Sequence, residues 1–291
     1  MCRHLAYLGP PATLRSLIID PPHGLYRQAW APRRQRFGTV NADGFGVGWY
    51  APGEEDPVRY RRAEPIWGDE SFADVARATR SGALLAAVRC ATAGTAPGPS
   101  SVAPFASGRW LFSHNGRLDG WPESAAPLAA TLPATALLGL EARVDSALLW
   151  ALVLHRLRLG LAPAEALADT VRALQAAGVT GRFNFLLTDG QVIAATAAGD
   201  TLWHRSSAAS ASGPSGLAAG PSGPAASPSG PPVPAVVVAS EPGDDEPGWT
   251  EVQDGCVVTA APGRVSVAGL AGLNARATDD KNIDDGRIAI P

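Results

Sequence analysis

The 291-residue sequence predicts an α+β fold, and three observations carry that expectation. Strand-like segments fill much of the first third of the chain, two long segments of helical period follow, and paired strands separated by two-residue turns come last. That order suits antiparallel layers and argues against a doubly wound nucleotide-binding sheet, in which strand and helix alternate throughout. With 46% hydrophobic and 18% charged residues, the chain can bury a full-sized core, as one large domain or two small ones.

Taken in order, residues 3–8, 45–51, 84–88 and 109–113 read as strands, and a helix is expected over 70–80. Residues 145–159 carry helix-period apolar positions, and 163–177 do so with Pro163 at the start and Gly178 past the end. Strands at 183–188 and 191–196 flank Asp189-Gly190, and strands at 256–260 and 264–268 flank Pro262-Gly263, two hairpin signals. Strand-like residues 200–204 and 233–239 bracket the stretch 206–232, which is Ser, Ala, Gly and Pro apart from Leu217. Such a composition buries too little to offset its ordering entropy. It is expected to be a disordered insertion within one domain spanning 2–270, followed by a polar tail over 271–291.

Composition narrows the function. The net charge of −3, the pI of 6.0 and the lack of a long basic stripe argue against a nucleic-acid partner, and Arg33, Arg34 and Arg36 read as a solvated loop. The opening residues lack a signal-peptide pattern, and no apolar run approaches the roughly 18 residues of a membrane span. A soluble cytoplasmic protein without a membrane partner is therefore expected. Gly44-Phe45-Gly46-Val47-Gly48 is followed by Trp49, Tyr50 and Pro52 where a dinucleotide fingerprint needs a helix, so its glycines read as a strand lying close against another group. Cys2, Cys90 and Cys256 form no CxxC pair and the five histidines no HExxH, so no disulfide framework, metal or cofactor is expected. Cys256 reads as a small core residue and His114 as structural.

Cys2 is the first candidate for chemistry. Removal of Met1 would give it a free α-amine, whose pKa of ~7.7–8.0 against ~8.5 for a thiol suits it to take the thiol proton. Taken alone, Cys2 reads as an ordinary small residue behind a start codon. Other segments change that reading. Arg89-Cys90-Ala91-Thr92-Ala93-Gly94 and Ser113-His114-Asn115-Gly116 place polar groups at the expected ends of two strands, and Asp145 opens a helix.

With Met1-Cys2-Arg3-His4-Leu5-Ala6-Tyr7-Leu8-Gly9 at the start and Asn41-Ala42-Asp43-Gly44-Phe45-Gly46 downstream, this ordered set resembles the class II glutamine amidotransferases, a family of N-terminal nucleophile hydrolases. The resemblance covers residues 2–270 apart from the insertion and implies a four-layer αββα sandwich of two antiparallel sheets. Within the family, the opening segment and Ser240-Glu241-Pro242-Gly243-Asp244-Asp245-Glu246-Pro247-Gly248-Trp249 look most like the amidohydrolases of ergothioneine biosynthesis. Val252-Gln253-Asp254 departs from the Val-Pro-Asp usual in that branch, and the insertion is not a family feature.

The resemblance implies that Cys2 is the nucleophile and that Asn115 and Gly116 supply the oxyanion hole. It implies that Arg89 grips the α-carboxylate of a glutamyl group, Asp145 its α-ammonium, and that Thr92 shapes the same loop. The residue types also allow plainer roles: Asn115-Gly116 as a turn, Arg89 on the surface, Asp145 as a helix cap. The implied reaction is hydrolysis of the γ-glutamyl amide of γ-glutamyl-hercynylcysteine S-oxide through a Cys2 thioester. Glu241, Asp244, Asp245 and Trp249 are then expected at the distal end of the pocket, since a trimethylammonium group favours carboxylates and aromatic faces; an ordinary acidic loop is the alternative. The chain has no room for a synthase domain, so a free-standing enzyme acting on a small γ-glutamyl substrate is expected. A glutaminase subunit feeding ammonia to a partner synthase, a non-catalytic γ-glutamyl-binding protein and a homo-oligomer are left open.

Overall fold

The computed structural model describes residues 2–91, 98–207 and 234–272. In chain order its elements are β1 (Arg3–Thr13), α1 (Leu14–Ile18), α2 (Leu25–Gln28), β2 (Phe45–Trp49), β3 (Val58–Arg62), α3 (Glu70–Ala78), β4 (Arg80–Val88), β5 (Phe105–Ser107), β6 (Trp110–Leu118), α4 (Ala126–Ala129), α5 (Ala134–Leu138), α6 (Asp145–Arg158), α7 (Pro163–Ala176), β7 (Gly181–Thr188), β8 (Ile193–Ala197), β9 (Trp203–Ser207), β10 (Ala235–Ala239), β11 (Thr250–Glu251), β12 (Cys256–Ala261) and β13 (Arg264–Gly269). The strands form a seven-stranded sheet, ordered β11-β9-β10-β1-β4-β2-β3, and a six-stranded sheet, ordered β13-β12-β8-β7-β6-β5. Each described pairing is antiparallel.

Period-two alternation sorts side chains into layers. Leu5 and Tyr7 of β1 pack with Leu14, Ile18, Leu25 and Phe72 on the side of α1 to α3, whereas Ala6 and Leu8 pack between the sheets with Leu111, Leu186 and Val258. On the far side of the second sheet, Phe112, Phe185 and Leu187 meet Leu149 and Leu152 of α6 and Val171 of α7. Each large side chain so buried contributes about 1.5–3 kcal/mol. The result is the αββα sandwich.

The structure refines several boundaries. β1 continues past residue 8 to Thr13 through a register shift between Leu8 and Ala12. β3 is an edge strand whose sequence, Val58-Arg59-Tyr60-Arg61-Arg62, alternates over only two apolar positions, too short a run for periodicity to announce it. The strand expected at 200–204 is shifted to Trp203–Ser207, and Ser206 and Ser207, expected to open the insertion, instead pair with Val236 and Ala235. The rest of the insertion to residue 232, and the tail from 273, lie outside the described residues. A Cβ on Gly46 would strike the Ala103 carbonyl oxygen and one on Gly48 would lie 2.7 Å from Leu111, which accounts for the alternating glycines of β2.

Candidate active site

Several strand ends meet at one end of the first sheet. The pairing of Arg3 with Val88, carried on by one residue, sets Cys2 opposite Arg89, and Arg89 N donates to Gly44 O at 2.8 Å just ahead of β2. On the other side of β1, Ser240 follows β10; its backbone N donates to His4 O at 2.9 Å and its Oγ accepts from His4 N at 3.0 Å. Cys2 shares the parity of His4, Ala6 and Leu8, the residues of β1 that look toward the facing sheet.

From that facing sheet, alternation along β6 brings Ser113 and Asn115 to the same inner side as Leu111. Ser113 Oγ lies 3.1 Å from His4 Nδ1, and Asn115 Nδ2 lies 3.4 Å from Ser240 Oγ, so the two sheets are tied together beside Cys2. Asn115 and Gly116 are not a turn and do not end a strand. They pair with Asn184 and Phe183 inside β6, which runs to Leu118. A Cβ on Gly116 would strike Arg182 O and lie 2.5 Å from His114 Nε2, so only glycine fits.

The ladder also orients the Gly116 amide. Phe183 N donates to Ala198 O and Phe183 O accepts from Thr196 Oγ1, so both of its backbone groups face away from β6. Gly116 and Phe183 are therefore a non-hydrogen-bonded pair, and the Gly116 N–H points away from β7. β5 pairs only with Trp110, Leu111 and Phe112 and does not reach that edge. Leu118 N, two residues on and facing the same way, donates to Asp145 Oδ2 at 3.0 Å. Asp145, the first residue of α6, also accepts from Ser146 N at 2.7 Å, and a carboxylate retains lone pairs for a further donor.

Arg89 is buried, with Nη1 3.3 Å from Asp43 O. Thr92 lies outside the described residues. Cys2 is only half-buried as a residue, but its thiol is desolvated and pushed up from its ordinary pKa; the amino terminus, the Cys90 backbone and the Arg89 charge oppose that shift. Cys256 is half-buried at the rim of the inter-sheet core. His114 is held by Arg182 O at 2.8 Å and Ser146 Oγ at 3.0 Å, the structural role expected of it, and burial lowers its pKa. Burial and the neighbouring Arg3 charge bring His4 down to about 3.

Residues without a local sequence signal complete the site. The Arg3 side chain, immediately after Cys2, is fully buried, with Nη2 3.0 Å from Asp200 Oδ2, Nη1 3.3 Å from Thr201 Oγ1 and Nε 3.0 Å from Gln35 Oε1. Asp200 Oδ2 accepts a second bond from Asn115 Nδ2 at 3.2 Å. Asp200, Ser240 and Gln35 are brought here by contacts more than 30 residues long in sequence, which no periodicity or motif announces.

The four residues expected at a distal pocket have partners within the protein. Glu241, 1% exposed, accepts from the backbone N of Arg33 at 2.9 Å and of Arg34 at 2.7 Å, so its carboxylate pins that loop. Arg33, Arg34 and Arg36 lie exposed in a loop, as the solvated-loop reading expects, and two of them also have partners: Arg33 Nη1 meets Asp245 at 2.6 Å, and Arg34 lies over the Trp203 ring at 5.6 Å. Asp245 accepts as well from His23 Nε2 at 2.9 Å. Asp244 accepts from both terminal guanidinium nitrogens of Arg205 and from the Trp249 indole N–H. Asp244, Asp245 and Trp249 thus meet cationic side chains of the protein itself. Among the described residues, no group of three or more His, Cys, Asp or Glu could hold a metal ion, and no helix is long and apolar enough to cross a membrane.

Comparison with known proteins adds to this geometry. The sequence profile of the class-II glutamine amidotransferases matches residues 25–214. The chain is 40% identical over 274 residues to the gamma-glutamyl-hercynylcysteine sulfoxide hydrolase of Mycolicibacterium smegmatis, covering 93% of this chain and 100% of that protein. It is 39% identical over 270 residues to the protein of the same name from Mycobacterium tuberculosis, covering 93% and 97%. Among solved structures, a glutamine aminotransferase class-II domain protein from Silicibacter pomeroyi superposes with a TM-score of 0.60 at 22% identity, over 92% of this chain and 99% of that one. The glutamine phosphoribosylpyrophosphate amidotransferase of B. subtilis superposes with a TM-score of 0.59 at 16% identity, over 92% of this chain and 49% of that one.

Proposed function

The chain belongs to the class-II glutamine amidotransferases, and from that membership we propose that it hydrolyses the γ-glutamyl amide of γ-glutamyl-hercynylcysteine sulfoxide to glutamate and hercynylcysteine sulfoxide. What supports this reading is that Cys2 falls opposite Arg89 and Asn115 reaches Ser240, the partner of His4 two residues after Cys2, in a chain that matches hydrolases of that name over 93% of its length. The head of the substrate is read first. The Arg89 guanidinium takes the α-carboxylate and Asp145 the α-ammonium, which leaves the γ-carbonyl at Cys2.

Cys2 Sγ attacks the γ-carbonyl carbon, and the thiol proton passes to the α-amine of the same residue once Met1 has been removed. The oxygen becomes an alkoxide that takes hydrogen bonds from Asn115 Nδ2 and Gly116 N, groups aimed at the charge that develops. Collapse breaks the C–N bond; the leaving amine takes the proton from the α-ammonium, and a γ-glutamyl thioester remains. Water attacks the thioester, giving its proton to the same α-amine. The C–S bond then breaks, the thiol is regenerated and glutamate leaves.

The test is glutamate release from γ-glutamyl-hercynylcysteine sulfoxide, glutathione and glutamine, each offered to the wild-type chain and to Cys2→Ala. Preference for the sulfoxide, lost in C2A, is expected. Preference for glutamine would replace this reading with a glutaminase, and release that survives C2A would remove the nucleophile.

A further inference from the structure

We infer that Asp200 is a positioning residue for this reaction: it holds the Asn115 side-chain amide in the orientation that turns an N–H toward the oxyanion. The inference rests on the amidohydrolase reading above. Asp200 lies between β8 and β9, 85 residues from Asn115 and 197 from Arg3, and its side chain is fully buried. A carboxylate only accepts hydrogen bonds, so whatever faces it must donate. Its Oδ2 takes Arg3 Nη2 at 3.0 Å and Asn115 Nδ2 at 3.2 Å, and its Oδ1 takes Thr201 N at 2.8 Å.

The two ends of an amide side chain are similar in shape and opposite in polarity. Reversing Asn115 would set its Oδ1 against Asp200 Oδ2, acceptor against acceptor in a buried place, and would offer a carbonyl oxygen to the oxyanion. Asp200 therefore selects the working orientation. One Nδ2 hydrogen goes to Asp200; the other, with Ser240 Oγ at 3.4 Å, is the one an oxyanion takes. Asp200 is itself held by Asn184, whose Oδ1 accepts from Asp200 N at 3.1 Å and whose Nδ2 donates to Asp200 O at 2.9 Å, and Asn184 is the cross-strand partner of Asn115. Arg3 supplies the counter-charge, which ties the residue after the nucleophile to the same carboxylate.

The test compares wild type with Asp200→Leu, which removes both acceptor oxygens facing Asn115, Arg3 and Thr201 N. Because this leaves the buried Arg3 charge without its counter-ion, the double variant R3M/D200L, which removes both charges, is measured beside it. Both are expected to lose about tenfold or more in kcat on the sulfoxide, with KM within about threefold, because the oxyanion exists only in the transition state. Alkylation of Cys2 by iodoacetamide, which forms no oxyanion, is expected to stay within about threefold of wild type. A kcat in both variants within about threefold of wild type would overturn the role of Asp200, as would KM and alkylation changing in step with kcat, the mark of a merely structural ion pair. Wild-type protein that released no glutamate would overturn the underlying reading instead.

Discussion

The guanidinium of Arg205 lies 4.7 Å over the Trp249 ring. Asp244 joins the two, accepting from Arg205 Nη1 at 2.6 Å and from Trp249 Nε1 at 2.9 Å. This cation, aromatic and carboxylate form a closed, partly buried group. Trp249→Ala is expected to destabilise the protein by on the order of 1–2 kcal/mol in denaturant titration. The ratio of kcat/KM for the sulfoxide over glutamine is expected to stay within about threefold; a fall of about tenfold or more would place Trp249 against the substrate.

The nucleophile is tested by mass as well as by rate. Intact-mass measurement is expected to show loss of Met1, and Cys2→Ala to reduce hydrolysis by about a thousandfold or more while a γ-glutamyl ligand still binds.

Gly116 is tested through packing. Gly116→Ala puts a methyl group into Arg182 O and the His114 ring, and is expected to cost roughly 1–3 kcal/mol of stability and to reduce kcat by displacing the amide. An alanine variant with wild-type stability would show that β6 and β7 can part there at little cost.

Acid stability follows from the buried histidines. His4 titrates near 3 when folded and near 6.5 when unfolded, so between those values the unfolded chain binds the extra proton. Its contribution is fully present above pH 6.5 and is lost as pH falls toward about 3, at about 1.4 kcal/mol per pH unit. His114, also lowered by burial, acts with the same sign. Denaturant titrations at a series of pH values are expected to show this slope, and His4→Gln to make it shallower; equal slopes would remove His4 as its source.

Glu241 is expected to act through the loop it pins. Glu241→Ala frees the amides of Arg33 and Arg34, and protease cleavage near those residues is expected to quicken while Cys2 alkylation is unchanged. Unchanged cleavage would show that the contacts of Arg33 and Arg34 with Asp245 and Trp203 hold the loop without it.

The sequence by itself determined what is encoded locally. The helix period behind Asp145, Pro163 at the start of α7 with Gly178 past its end, and the Asp189-Gly190 turn each act over a few residues, and the structure has elements at all three. The segments around Cys2, Arg89, Asn115-Gly116 and Asp145 made a family resemblance legible, and the sequence profile and the mycobacterial relatives bear out the family. Only the tertiary structure decided that Asn115-Gly116 lies inside a strand, since Asn-Gly has strong turn chemistry and only pairing with Asn184 and Phe183 overrides it. It likewise decided the partners of Glu241, Asp244 and Trp249, and set Asp200 between Arg3 and Asn115. A buried carboxylate must find its donors wherever the sheets bring them, here 85 and 197 residues away, and no local pattern records that distance.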